Sequence, residues 1–66
     1  MALRATREQS GKTQAQVAKE VGISEVAFQM YEYGKRLPRV DIAIRIAEAL
    51  GTTVEALFRE DYTRSE

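Results

Sequence analysis

The chain has 66 residues, with ten Lys/Arg against ten Asp/Glu, and contains neither cysteine nor histidine. That length suits one domain, and a chain this small buries only about 60% of its unfolded surface, so it needs efficient helix packing or a partner subunit. The missing cysteines exclude a disulfide framework or thiolate metal site, and the missing histidines remove the usual imidazole ligand and the commonest general base, which argues against an enzyme, a metal or a cofactor.

The N-terminal MALRATREQS has no apolar run of signal-peptide length. Residues 2–10 read as a first helix that places Leu3 and Arg7 four apart on one face. Ser10-Gly11 ends it. A second helix starts at Thr13-Gln14-Ala15-Gln16, a capping box in which hydroxyl and amide satisfy each other's free backbone N–H groups. Val17, Ala18 and Val21 follow at helical spacing. Gly22 ends this helix because glycine alone turns left-handed without penalty.

Ser24 is the next N-cap candidate and opens a third helix, in which Phe28 and Tyr31 mark the inward face. Gly34 closes it. The loop Lys35-Arg36-Leu37-Pro38-Arg39 leads to a fourth helix, in which Val40, Ala43, Ile44, Ala47 and Leu50 recur every three to four residues. Gly51 stops that helix, Thr53 caps a fifth, and Val54, Leu57 and Phe58 supply its apolar face. No strand signal exceeds three residues. The longest apolar stretch, Ile42 to Leu50, is broken by Arg45 and Glu48 and is too short to span a bilayer. The expectation is an all-α, compact five-helix bundle in a soluble cytoplasmic protein, with no membrane contact and no small-molecule ligand evident.

Charge is unevenly spread along the chain. Residues 1–39 carry seven Lys/Arg against four Glu, leaving +3, and residues 40–66 carry three Arg against six Asp/Glu, leaving −3. One end of the fold can therefore attract phosphate, although an ordinary mixed surface explains an asymmetry of this size equally well.

The most specific segment is Gln14 to Tyr33. Two helices joined by Gly22-Ile23-Ser24 must cross steeply, with a small residue at the crossing (Ala18) and a glycine at the bend. The stretch TQAQVAKEVGISEVAFQMYEYGKRLP resembles the helix-turn-helix of the Cro/C1 family, also called the xenobiotic-response-element family. VDIAIRIAEALGTTVEALF is similar to that family's fourth and fifth helices. The resemblance implies a lambda-repressor-like helix-turn-helix domain over residues 1–60, a short C-terminal tail over 61–66, and binding of operator DNA as a two-fold homodimer.

It also implies roles for individual residues. The third helix would lie in the major groove and face base edges with Glu25, Val26, Gln29 and Met30. Gln29 suits adenine N6 and N7, Glu25 suits cytosine N4, and Val26 and Met30 suit thymine methyls. The alternative for Val26 and Met30 is a place in the core or in a subunit contact. Gln14 matches the family's phosphate-anchoring glutamine, and Ser24, Tyr33, Lys35 and Arg36 are further candidates for the DNA backbone. Arg39, directly after Pro38, matches an arginine that enters the minor groove. Arg7 and Glu32 match a structural ion pair between the first helix and the end of the third.

Three departures bear on this reading. Lys12 stands where the family often has an apolar residue, which suggests a loosely packed first helix. Tyr33 replaces a common asparagine. The recognition face has an acid and two apolar residues in place of several polar readers, which favours modest affinity or readout of DNA shape. For dimerisation, Ile42, Ile46, Phe58 and Tyr62 form the candidate patch, with completion of the core as the equal alternative. The competing functional reading is a protein-interaction module of the same fold, an antitoxin-like or adaptor protein with weak DNA binding.

Overall fold

The computed structural model describes the backbone of residues 2–63 and the side chains of residues 2–59. Five helices follow one another: α1 (Leu3–Ser10), α2 (Gln14–Val21), α3 (Glu25–Glu32), α4 (Val40–Ala49) and α5 (Val54–Thr63). None of them is long and apolar enough to cross a membrane. Helices this short are marginal alone, so their ends and their packing must hold them.

The starts are built as the sequence implies. Thr13 Oγ1 accepts from the Gln16 amide at 3.0 Å while Gln16 Oε1 accepts from the Thr13 amide at 2.7 Å, completing the capping box. Ser24 Oγ accepts from the Ala27 amide at 3.0 Å, and Thr53 Oγ1 accepts from the Ala56 amide at 3.1 Å. Each such cap is worth about 1 kcal/mol.

The helix ends use left-handed glycines. Gly22 sits at φ 88°, and the next amide, that of Ile23, donates back to the Ala18 carbonyl at 3.0 Å. Such a reversal satisfies carbonyls that would otherwise lack partners and turns the chain sharply into α3. The turn is only residues 22–24, so α2 and α3 pack directly against each other. α2 also packs on α4, α4 on α5, and α1 on α5.

Phe28 from α3 and Phe58 from α5 are the largest fully buried side chains, and Leu3, Val17, Ile46 and Leu57 close around them. Ala18 is buried where α2 needs a small residue, and Tyr31, Ile23 and Leu50 pack at the rim of the core. α5 bends at Phe58, whose backbone leaves the helical region at φ −131°, ψ 19°.

One expectation about packing is corrected and a second is refined. Val40 and Ile44 do not face inward: they are exposed, while Ala43, Ile46 and Ala47 form the buried stripe of α4. Seven of the ten α4 residues are apolar, so periodicity supports more than one stripe, and the position of α2 and α5 decides between them. Consequently Ile46 and Phe58 complete the core and Ile42 is partly buried against it, which removes these three as an exposed dimer patch. The side chain of Tyr62 lies outside the described residues.

The refinement concerns Lys12, expected to loosen α1: that helix buries one side chain, but the lysine itself is held. Leu3 of α1 is fully buried. Lys12 Nζ instead donates to the Ala49 carbonyl at the end of α4 (2.7 Å) and to Glu20 Oε1 (2.9 Å). A cation against the last carbonyls of a helix complements both its unpaired acceptors and its dipole. The lysine thus fastens the α1–α2 loop to α2 and α4 at once.

Candidate nucleic-acid interface

The outer face of α3 is set by what its inner face must bury. Phe28 faces the core and Tyr31 packs against its edge, so Val26, Met30 and Tyr33 fall on the opposite side, with Gln29 at the flank and Glu25 in the exposed first turn. Glu25, Val26, Met30 and Tyr33 are exposed there, and Gln29 is half-buried beside α2. Val26 is 67% exposed and Met30 37%, so neither belongs to the core.

Around this face lie the remaining candidates. Ser24 caps α3 through its oxygen, which leaves its hydroxyl proton available as a donor. Lys35 and Arg36 follow α3 in the loop, where their amides donate to the Met30 carbonyl at 2.9 and 3.3 Å. Their exposed side chains have no ion-pair partner among the described residues. Arg39 is 85% exposed and stands 3.5 Å from Asp41, an exposed pair too loose and solvated to immobilise it. Pro38 before it is buried.

The expected pair between Arg7 and Glu32 forms and is desolvated. Arg7 Nε donates to Glu32 Oε2 at 2.8 Å, with side-chain exposures of 12% and 0%. A second guanidinium nitrogen donates to the Lys12 carbonyl at 2.8 Å. Glu32 therefore ties the end of α3 to α1, and Arg7 in turn holds the loop before α2.

Gln14 is not the simple solvent-facing anchor that its position suggests. Its Nε2 donates to Glu32 Oε1, and its Oε1 accepts from Gln29 Nε2 at 3.2 Å. One N–H of the Gln14 amide remains uncommitted. The structure thus joins the candidate phosphate anchor, the candidate base reader and the ion pair into one hydrogen-bonded series. Spacing along the sequence gives no signal of this, since residues 14, 29 and 32 meet only through the α2–α3 crossing. The part played by Lys12 was missed for the same reason.

The comparisons with known proteins agree with this geometry. The family model described as helix-turn-helix matches residues 3–57. The chain is 41% identical over 51 residues to the cryptic phage CTXphi transcriptional repressor RstR of Vibrio cholerae serotype O1 (strain ATCC 39315 / El Tor Inaba N16961), an alignment covering 77% of this chain and 46% of that protein. The chain thus spans under half the length of that relative. No solved structure matches. With five helices in this order, a three-residue turn between α2 and α3, and a family model covering nearly all of the described residues, the chain belongs to the helix-turn-helix family, of the Cro/C1 type that its sequence resembles.

Proposed function

We propose that this protein is a sequence-specific regulator of transcription, a repressor, that binds double-stranded operator DNA with α3 in the major groove. The observation that carries this reading is the outer face of α3, where Val26 and Met30 stand in solvent beside Glu25 and Gln29, flanked by exposed Lys35 and Arg36. Apolar groups there suit thymine methyls, Gln29 suits adenine, Glu25 suits cytosine N4, and the two cations suit the phosphates beside the groove. Gln14, Ser24 and Tyr33 complete the backbone contacts, and Arg39 reaches the minor groove. The 41% identity to a phage transcriptional repressor supports the same reading. The working site is the cytoplasm, with DNA and a second copy of the chain as partners.

The homodimer is formed through Val40 and Ile44 of α4 together with Leu37, all exposed. Charge supports a second copy as the occupant. Arg45 has Asp41 four residues before it and Glu48 three after, yet pairs with neither. Two α4 helices crossing antiparallel at Ile44 would set Arg45 of each copy near the acids of the other, and the dimer would present its α3 helices to half-sites about 34–36 Å apart.

Selection from a random duplex DNA pool tests the function. A two-fold symmetric site with half-sites one helical turn apart is the expected result. Binding should weaken with salt at a log–log slope near −4.5 for about five neutralised phosphates. Absence of any enriched sequence, with retention independent of salt, would instead favour a protein-interaction module on the same fold.

A further inference from the structure

We propose that Glu32 sets the hydrogen-bonding polarity of Gln29 by way of Gln14, and so restricts the base that Gln29 accepts. This rests on the reading of α3 as the base-contacting helix. A glutamine amide has an accepting oxygen and a donating nitrogen of nearly the same shape, so an unconstrained side chain can present either one first. Adenine offers an N6 donor beside an N7 acceptor, whereas guanine offers two acceptors, O6 and N7. A glutamine held in one orientation discriminates between them; one free to turn over donates to guanine O6 and loses the distinction.

Each link of the series permits a single orientation. Arg7 has only donors, and it fixes Glu32 as an acceptor at Oε2. The Glu32 carboxylate has no proton to give, so Gln14 must direct Nε2 toward Glu32 Oε1. That turns Gln14 Oε1 toward α3, where only the nitrogen end of Gln29 can meet it, and Gln29 Nε2 does so at 3.2 Å. Turning Gln29 over would set two carbonyl oxygens against each other and lose a hydrogen bond. Held this way, Gln29 retains Oε1 and one N–H for a base edge, the acceptor and donor that adenine N6 and N7 require. The Glu32 side chain is fully buried, so water does not compete for its oxygens. Glu32 is therefore a positioning residue for base readout as well as a member of the ion pair.

The test compares the wild type, Gln29→Ala, Glu32→Gln and Gln14→Met. Selection from random duplexes identifies the base position that changes in Gln29→Ala, and competitive binding then compares adenine with guanine at that position. The wild type should favour adenine by about five- to 150-fold, the range of a bidentate base contact. In Glu32→Gln, Arg7 holds the oxygen of the new amide and its NH2 faces Gln14, which turns both glutamines over, so the adenine preference should fall to about twofold or less, or invert toward guanine, at that position alone. Glu32→Gln also leaves Arg7 without its anion and lowers stability. Gln14→Met keeps the Arg7–Glu32 pair, should fold, and should free Gln29 to turn over, so the preference falls to about twofold or less on top of a uniform fall in affinity. A purely structural role would reduce affinity for all sequences by one factor and leave the adenine-to-guanine ratio unchanged. An enriched site whose ratio survives in Gln14→Met overturns the relay alone; no enriched site in the wild type overturns the DNA reading and the relay with it.

Discussion

Arg4 and Arg7 lie on the same helix, and each pairs with a glutamate, yet replacing them by alanine should have very different consequences. Arg4 meets Glu8 at 3.2 Å with side chains 68% and 55% exposed. A solvated pair four residues apart on a helix is worth about 0.3–0.5 kcal/mol. Arg7 meets Glu32 almost free of water, and Arg7→Ala would leave a fully buried carboxylate facing only the Gln14 amide. Breaking such a pair from one side costs about 3–5 kcal/mol. At roughly 0.05–0.15 kcal/mol per residue, a chain of 66 residues has about 3–10 kcal/mol of total stability. Arg7→Ala should therefore remove between a third and all of it, and Arg4→Ala almost none. Urea unfolding followed by helical circular dichroism at fixed protein concentration measures both, with the slope checked for change. Values for the two variants within 1 kcal/mol of each other would refute the argument, because they would mean that the Arg7–Glu32 pair is solvated. The double variant Arg7→Met/Glu32→Leu should recover much of the loss, since an apolar pair leaves no charge uncompensated.

Three further outcomes are expected. Lys12→Met should destabilise by about 1–2 kcal/mol in the same assay, chiefly through the Ala49 carbonyl, because its pairing with half-exposed Glu20 is screened; base preference should not change. Gly22→Ala should cost about 1–2 kcal/mol by thermal unfolding, all of it from the left-handed backbone, since a Cβ there meets nothing within 4 Å. A larger cost would mean that the turn is sterically closed. Ile44→Asp should abolish dimerisation in analytical ultracentrifugation while leaving helical content intact, and a persisting dimer would move the interface away from α4.

Much of the fold is legible in the residues because its punctuation is local. Thr13 with Gln16, Ser24 and Thr53 each cap a helix through atoms within three residues, and Gly22 turns the chain through its own backbone freedom, so these features need no knowledge of distant neighbours. The inward place of Phe28 on α3 is equally readable, because few large apolar residues share its helix face. The Cro/C1 resemblance adds the helix order and the Arg7–Glu32 pair, which separation by 25 residues would otherwise conceal.

Tertiary structure decided the rest where the sequence offered equivalent choices. Seven of the ten α4 residues are apolar, and only the placement of α2 and α5 buries Ala43, Ile46 and Ala47 while leaving Val40 and Ile44 outside. Lys12 reads as a misplaced charge until the end of α4 arrives beside it with unpaired carbonyls. Gln14 and Gln29 read as two independent polar residues until the α2–α3 crossing brings them to 3.2 Å and places buried Glu32 behind them. A side chain's identity specifies what it can donate or accept, and the short-range backbone specifies where helices begin and end. Which partner it meets depends on contacts between elements remote in sequence, and those contacts arise only when the whole core packs.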